Sequence, residues 1–549
     1  MTTRALLAAL ALAPLLLGAA EQQQPLSSEL IPGRPDWTPI PTPGRDRSVP
    51  KEVGAATLQA LRLLADEDVE GARAIAEPLL AAHPTDRGAM LAVGVLRVYE
   101  QRYDEAVRLL EESETGDPAG YLTLARNARD VTRDHVRFEG ERVVVSYPKG
   151  KDEVLVPYLV ETLERQRDAL ARALGSVPGG KLAVEVVNDV KELARLTTLS
   201  EQEIRTSGTV AVCKFNKLML LSPKALLKGY DWQDTAAHEY THLVLTRRSR
   251  NQAPIWVQEG LAKWFEEAWR GGQEPLSPIS AALVKDAAQH GTLVTFEEMH
   301  PSLAKLPSQE RAALAYAEVV LAVEKMVQQG GPGTIPKVLD LLAAGKDARD
   351  AVAIALGVPF DRFMDAWRRH MVERPLPKGG EHELQRLHFR DDPKHGGAWS
   401  EWAEIQDERA RGYARLGDMM RARGRWAAAR IELGKAYDRV GGKVPILADQ
   451  YALAALQSGQ DGLAEKVLGE AIGLNPEYAA LHVHLARLLA RREDWQGVRD
   501  HLLVANRHDP FDPEIHGGLA RAFTALGDPT SASREERFGR ILQPEGHHP

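Results

Sequence analysis

The sequence predicts a mainly α protein in which one central α+β domain carries stacked helical hairpins on both sides. Three observations lead there. Small residues recur 34 apart near the N-terminus and again through the last third of the chain. Short apolar runs with β character, such as Leu182 to Val187, lie between those two regions. The runs lead into a segment reading His238-Glu239-Tyr240-Thr241-His242, whose spacing suits a helix. A length of 549 residues suits three or four domains, and 44% hydrophobic with 27% charged residues is ordinary for an ordered globular protein. The formal charge of −8 offers no basic field, so nucleic acid is not an expected partner.

In chain order, residues 1–20 come first. Arg4 is followed by an apolar run from Ala5 to Leu17 and then Gly18-Ala19-Ala20, the layout of a secretory signal peptide cut after Ala20. The run is shorter than the roughly twenty residues that span a bilayer, and no later stretch could span one. The expectation is an exported protein, periplasmic or extracellular, with no membrane span after signal removal. The Ala, Arg and Leu richness is consistent with a high-GC bacterium. The sole cysteine, Cys213, lies far from the cut and allows neither a lipid anchor there nor an internal disulfide. Residues 21–54, with seven prolines from Pro25 to Pro50, read as an extended linker.

Residues 55–130 read as the first helical array. Ala72 and Ala106 are 34 apart, Gly94 precedes the second by twelve and Pro84 follows the first by twelve, as in tetratricopeptide repeats, where small residues sit at helix crossings. Residues 400–542 repeat the pattern more fully: Gly417, Ala429 and Ala436; Ala452, Ala464, Ala471 and Pro476; Ala486, Ala505 and Pro510; then Ala520 and Ala532. Val498 stands where the pattern has Ala. Helix pairs stacked at this period bury a continuous core and leave a concave face for an extended protein or peptide partner.

The central region carries the chemistry. On a helix, His238 and His242 are four apart and share a face, where two imidazoles can grip one Zn²⁺, while Glu239 beside them can take a proton from a water that the metal acidifies. A catalytic zinc needs three protein ligands and an open position. Glu259, seventeen residues after His242 in Pro254-Ile255-Trp256-Val257-Gln258-Glu259-Gly260, is the candidate third ligand, at the beginning of a second amphipathic helix. A carboxylate there would also suit the helix dipole. His382 and His388 form a near-motif six residues apart, a spacing that turns the two rings to different faces.

Residues 137–375 resemble the peptidase MA-like domains of the gluzincin clan, the thermolysin-related zinc peptidases with His, His and Glu ligands. The resemblance rests on the HExxH motif, Glu259, Phe138 to Pro148 leading into a helix that ends at Leu174-Gly175, strand Leu182 to Val187, and the stretch Ser207 to Pro223. It implies a zincin-like fold, one Zn²⁺ per chain, and an edge strand within 207–223 against which a peptide can add. It also implies that Tyr316 supplies a phenolic donor to the developing oxyanion; a tyrosine packing its ring in a helical core reads the same. The chain departs from the clan where an aspartate four residues after the ligand Glu orients a ligand His, because that position is Lys263; Asp234 is the substitute the sequence offers.

The resulting expectation is a zinc metallopeptidase acting on peptide or protein substrates, with Glu239 and Tyr316 catalytic and the repeats selecting partners. The other reading is a repeat-based binding scaffold with a non-catalytic zincin-like domain. The presence of Glu239 favours the enzyme, since a structural zinc site has four closed ligands and needs no base.

Overall fold

The computed structural model describes residues 51–543 except 118–119, 273–275, 301, 376–385, 393–401 and 403–404. The leader-like segment and most of the 21–54 linker lie outside the described residues. Helix α1 (Lys51–Ala65) begins inside the segment expected to be linker.

The N-terminal array consists of α1, α2 (Val69–Ala82), α3 (Arg87–Tyr99), α4 (Tyr103–Glu112) and α5 (Tyr121–Thr132). Ala72 and Ala106 are fully buried where the hairpins cross, which is the reason small residues recur there. A five-stranded sheet follows, built from β1 (His135–Glu139), β2 (Val143–Pro148), β3 (Leu182–Val187), β4 (Ala211–Lys214) and β5 (Lys217–Leu221), in the order β1-β2-β3-β5-β4. Strands β2, β3 and β5 run parallel, and β1 and β4 close the two edges antiparallel. The inner strands are almost wholly buried, as expected for strands covered on both faces. Their connections are α6 (Val156–Leu174), which stops at the left-handed Gly175, and the short helices α7 (Val190–Leu196) and α8 (Glu201–Ser207).

The stretch 207–223, expected to hold one edge strand, is a hairpin of β4 and β5. Only β4 forms the edge; β5 lies inside the sheet against β3.

Among the described residues, eight helices complete the central domain: α9 (Trp232–Arg248), α10 (Ile255–Phe265), α11 (Pro278–His290), α12 (Phe296–Met299), α13 (Gln309–Gly330), α14 (Thr334–Ala343), α15 (Ala348–Leu356) and α16 (Phe360–Glu373). Four further hairpins run from α17 (Glu408–Arg421) and α18 (Trp426–Val440) through α19 (Pro445–Gln457), α20 (Asp461–Leu474), α21 (Ala479–Arg491), α22 (Trp495–His508) and α23 (Pro513–Ala525) to α24 (Pro529–Leu542). Ala429, Ala436, Ala452, Ala464, Ala471 and Ala505 have no exposed surface, and Val498 is buried in the same kind of position as those alanines. No described helix is long and apolar enough to cross a membrane.

Both arrays are joined to the central domain. On the C-terminal side, Trp232 at the start of α9 donates from Nε1 to the Asn506 carbonyl at 3.0 Å, and Tyr158 of α6 donates to Glu535 at 2.7 Å. Phe538 and Leu542 belong to the same apolar core as the central helices. The contact is close enough at Gly229, φ 67°, that a Cβ there would lie 1.7 Å from the His508 carbonyl oxygen. On the N-terminal side, Lys217 of β5 and Glu185 of β3 form an ion pair of 2.8 Å with essentially no exposure, and Tyr103 of α4 bonds to both.

Removing one member of a buried pair strands the other charge. Lys217→Met is therefore expected to cost about 3–5 kcal/mol in chemical denaturation of the whole chain, and adding Glu185→Leu should recover most of that loss. A second expectation concerns Glu318 on α13, where burial pushes the carboxyl up to about 8 although the Val294 N–H, at 2.8 Å, favours its charged form. The native state holds this proton between about pH 4.5 and 8 while the unfolded chain releases it, so native stability falls as pH rises through that window. Glu318→Gln should remove the slope in a pH series of thermal or urea unfolding.

Candidate active site

Helix α9 is buried around most of its circumference because it packs on β4 and β5, on α6 and on α10. Its N-terminus is capped by Asp231, whose carboxylate accepts the Asp234 N–H at 3.0 Å. Helix α10 runs beside it, and a buried amide ties the two: Gln166 of α6 donates from Nε2 to Thr241 Oγ1 on α9 and to the Phe265 carbonyl at the end of α10, each at 2.9 Å.

This arrangement brings His238, His242 and Glu259 together. Glu259 is the fifth residue of α10, past the first turn, and the helix has no acid in that turn, so its place is explained by the histidines and not by the helix dipole. The three atoms His238 Nε2, His242 Nε2 and Glu259 Oε2 form a triangle with sides of 3.2 Å between the imidazoles, 3.4 Å from His238 to Glu259 and 3.2 Å from His242 to Glu259. A tetrahedral zinc with ligands at roughly 2.0–2.1 Å separates its ligand atoms by about 3.3–3.4 Å. Glu259 Oε2 is also buried without a hydrogen-bond partner, an orphaned acceptor of the kind a cation satisfies. The residues fit a zinc ion. Among the described residues this is the one group of three or more potential ligands that converges.

The electrostatics agree. Burial would raise the Glu259 carboxyl, but His242 and His238 hold it down at about 2. Burial would lower His238, but the facing Glu259 and Glu266 carboxylates bring it up to about 10.

Each histidine has a partner on its other ring nitrogen. His242 Nδ1 lies 3.4 Å from Gln258 Oε1, and Gln258 in turn donates to Thr246 Oγ1 at 3.3 Å. His238 Nδ1 lies 3.5 Å from Glu266 Oε2. Glu266 is the orienting carboxylate that the sequence reading missed. Asp234, the residue offered for that task, points elsewhere: it accepts from Trp269 Nε1 at 2.8 Å and from Arg270 Nη2 at 2.7 Å. Lys263 forms an ion pair with Glu266. The signal that could have found Glu266 is helical phase, because residues four and seven after Glu259 share a face of α10.

Glu239 turns toward the edge strand. Burial raises its carboxyl, opposed by His242 and His238 and by the Cys213 backbone N–H. Leu221 donates its N–H to the Val210 carbonyl at 2.8 Å, and with the register Val212↔Met219 this aims the backbone groups of Ala211 and Cys213 away from β5, toward the open edge. A cleft lined by Ala211, Val212, Cys213, Glu239, His242 and Tyr316 runs along that edge.

Tyr316 reaches the cleft because α13 lies against α10. At Gly260, the residue after Glu259, a Cβ would stand 2.6 Å from the Val319 carbonyl oxygen, so only glycine permits this approach. The Tyr316 ring sits 6.0 Å from the His238 ring, and burial together with Glu259 and Glu239 pushes its hydroxyl up, keeping it a donor. Of the near-motif, His382 lies outside the described residues, and the His388 carbonyl accepts the Leu227 N–H at 2.9 Å, away from this centre.

Comparison with known proteins gives a Peptidase MA superfamily match over residues 169–373 and a tetratricopeptide repeat match over residues 455–522. Similar solved structures include yeast LTA4 hydrolase in complex with Bestatin, at 12% identity over 75% of this chain and 67% of that one, TM-score 0.31. Native leukotriene A4 hydrolase from Saccharomyces cerevisiae aligns at 11% identity over 74% and 67%, TM-score 0.31. The APC/C hetero-tetramer Cut9-Hcn1 aligns at 10% identity over 90% and 79%, TM-score 0.25. No curated protein matches the sequence. The chain therefore carries a Peptidase MA superfamily domain, with the two histidines and Glu259 inside it, and a tetratricopeptide repeat downstream.

Proposed function

We propose that the protein is a zinc-dependent peptidase of the gluzincin type. The observation that carries this reading is the triangle of His238, His242 and Glu259, with sides near those of a tetrahedral zinc site, opening on a cleft that Glu239 also lines. His238, His242 and Glu259 would hold one zinc per chain, which when bound lowers the pKa of water to about 7 and polarises a carbonyl. The chain's own residues supply the rest. Ala211 and the Cys213 carbonyl offer backbone groups with which a substrate backbone can pair as an added strand. Glu239 takes a proton from the attacking water and returns it to the departing amine nitrogen. Tyr316 donates its hydroxyl to the oxygen on which charge develops. Gln258 and Glu266 hold the two imidazoles in orientation.

In the same reading the C-terminal repeats bind protein or peptide partners along their concave face. The protein acts outside the cytoplasm, a placement that rests on the leader-like Met1–Ala20 alone; N-terminal sequencing of the protein recovered from its cells should then begin at Glu21.

Two variants test the chemistry. Glu239→Gln should retain one zinc per chain by elemental analysis while lowering kcat on a peptide substrate by about 10²–10⁴-fold; hydrolysis at the unaltered rate would remove Glu239 from the mechanism. Glu259→Ala should lose zinc on dialysis under conditions where the unaltered chain retains it. Full retention in the variant would refute the three-ligand assignment.

A further inference from the structure

The turn between β4 and β5 links the cleft to the N-terminal helices. Lys214 pairs with Lys217, so Phe215 and Asn216 alone make the turn, each with φ 57°. Two-residue turns of this kind favour Asn-Gly, because both positions need the left-handed region. Asparagine tolerates that region; a bulky side chain such as Phe is strained in it and stays only where its surroundings over-determine it.

Here the surroundings belong to another part of the chain. The Phe215 ring is 2% exposed and lies in the apolar core of the N-terminal helices, edge-on to Tyr99 at 5.6 Å and to Tyr121 at 6.0 Å. Its N–H donates to Glu67 Oε1 at 3.1 Å, and Glu67 occupies the link between α1 and α2. Arg247 at the end of α9 donates to Asn216 Oδ1 at 2.6 Å, and Asn251 Nδ2 donates to the Ala65 carbonyl at 3.2 Å. Two residues before Phe215, Cys213 faces Glu239, and Glu67 itself lines the cleft.

We propose that the N-terminal helices are a positioning device for the substrate-pairing edge: Phe215, seated between Tyr99 and Tyr121, fixes the height and register of β4 against α9. Phe215 is then a positioning residue for peptide binding, and the cleft is built by two parts of the chain. The proposal rests on the peptidase reading for its kinetic consequence and stands apart from it for its structural one.

The test uses the full chain loaded with zinc, comparing Phe215→Ala and Phe215→Leu with the unaltered protein. Hydrogen exchange of the amides at 211–214 is measured alongside those of β2 and β3, and kinetics are followed with a quenched fluorogenic peptide that the unaltered chain cleaves. In Phe215→Ala, zinc content and protection of β2 and β3 should be retained, while the β4 amides exchange at least about tenfold faster. KM should rise about tenfold, with kcat changed less than KM, because the lost element pairs with the substrate backbone. A variant that merely folds less well would lose kcat at constant KM, and that result overturns the proposal, as does unchanged β4 exchange. Should Phe215→Ala not fold, Phe215→Leu, which keeps an apolar group in the seat, is judged by the same criteria at about threefold. An unaltered chain with full zinc that cleaves no peptide refutes the peptidase reading, and the exchange measurement still decides whether the N-terminal helices hold β4.

Discussion

A carboxylate buried between two imidazoles is the constraint on which the rest of this structure depends. Glu259 is largely removed from water, and its Oε2 is buried with no hydrogen bond. Such a group is costly to bury unless opposite charge is held against it, and the charge must be held at fixed distance if it is to be worth more than the desolvation. Much of the central domain can be understood as scaffolding for those distances. Gln166 joins α9 and α10 through one amide, Gly260 lets α13 close over them, and Gln258 and Glu266 lie against the two rings. The supports of the site come from several elements, each packed into the same apolar core.

The two arrays meet this scaffold at opposite places. The N-terminal helices grip the β4–β5 turn, next to the cleft, and the C-terminal ones grip the start of α9 through Trp232 and through Asp231, which accepts from Arg507 at 3.3 Å. Each array therefore touches an element that carries site residues, and neither hangs from the domain by a tether alone.

What could be read from the sequence was what is periodic and local. The two histidines share a face because of a four-residue spacing, and the alanines at 429, 436, 452, 464 and 471 mark helix crossings because stacking repeats the same contact. Glu259 could be found for a related reason: it follows on the adjacent helix after a short connection. The turn at Phe215-Asn216 could not be found, since phenylalanine is no turn former and its conformation is imposed by Tyr99 and Tyr121, which lie about a hundred residues away in sequence. Glu266 was overlooked for a different reason. The family pattern directed attention to the position four after Glu259, where this chain has lysine, while the carboxylate beside His238 stands one turn further along.

Phe538 and Leu542 have an implication for how the molecule is made. They fill the same apolar core as Tyr158 and Trp232, nearly four hundred residues after the first of these. During synthesis, segments collapse as they emerge, and local hairpins can form at once, whereas this core must wait for a partner that is translated late. Until α22 covers the first turn of α9 and α24 covers the face of α6 that bears Tyr158, those surfaces stay open. Maturation of the helix that carries both histidines is thus coupled to the synthesis of α22 and α24.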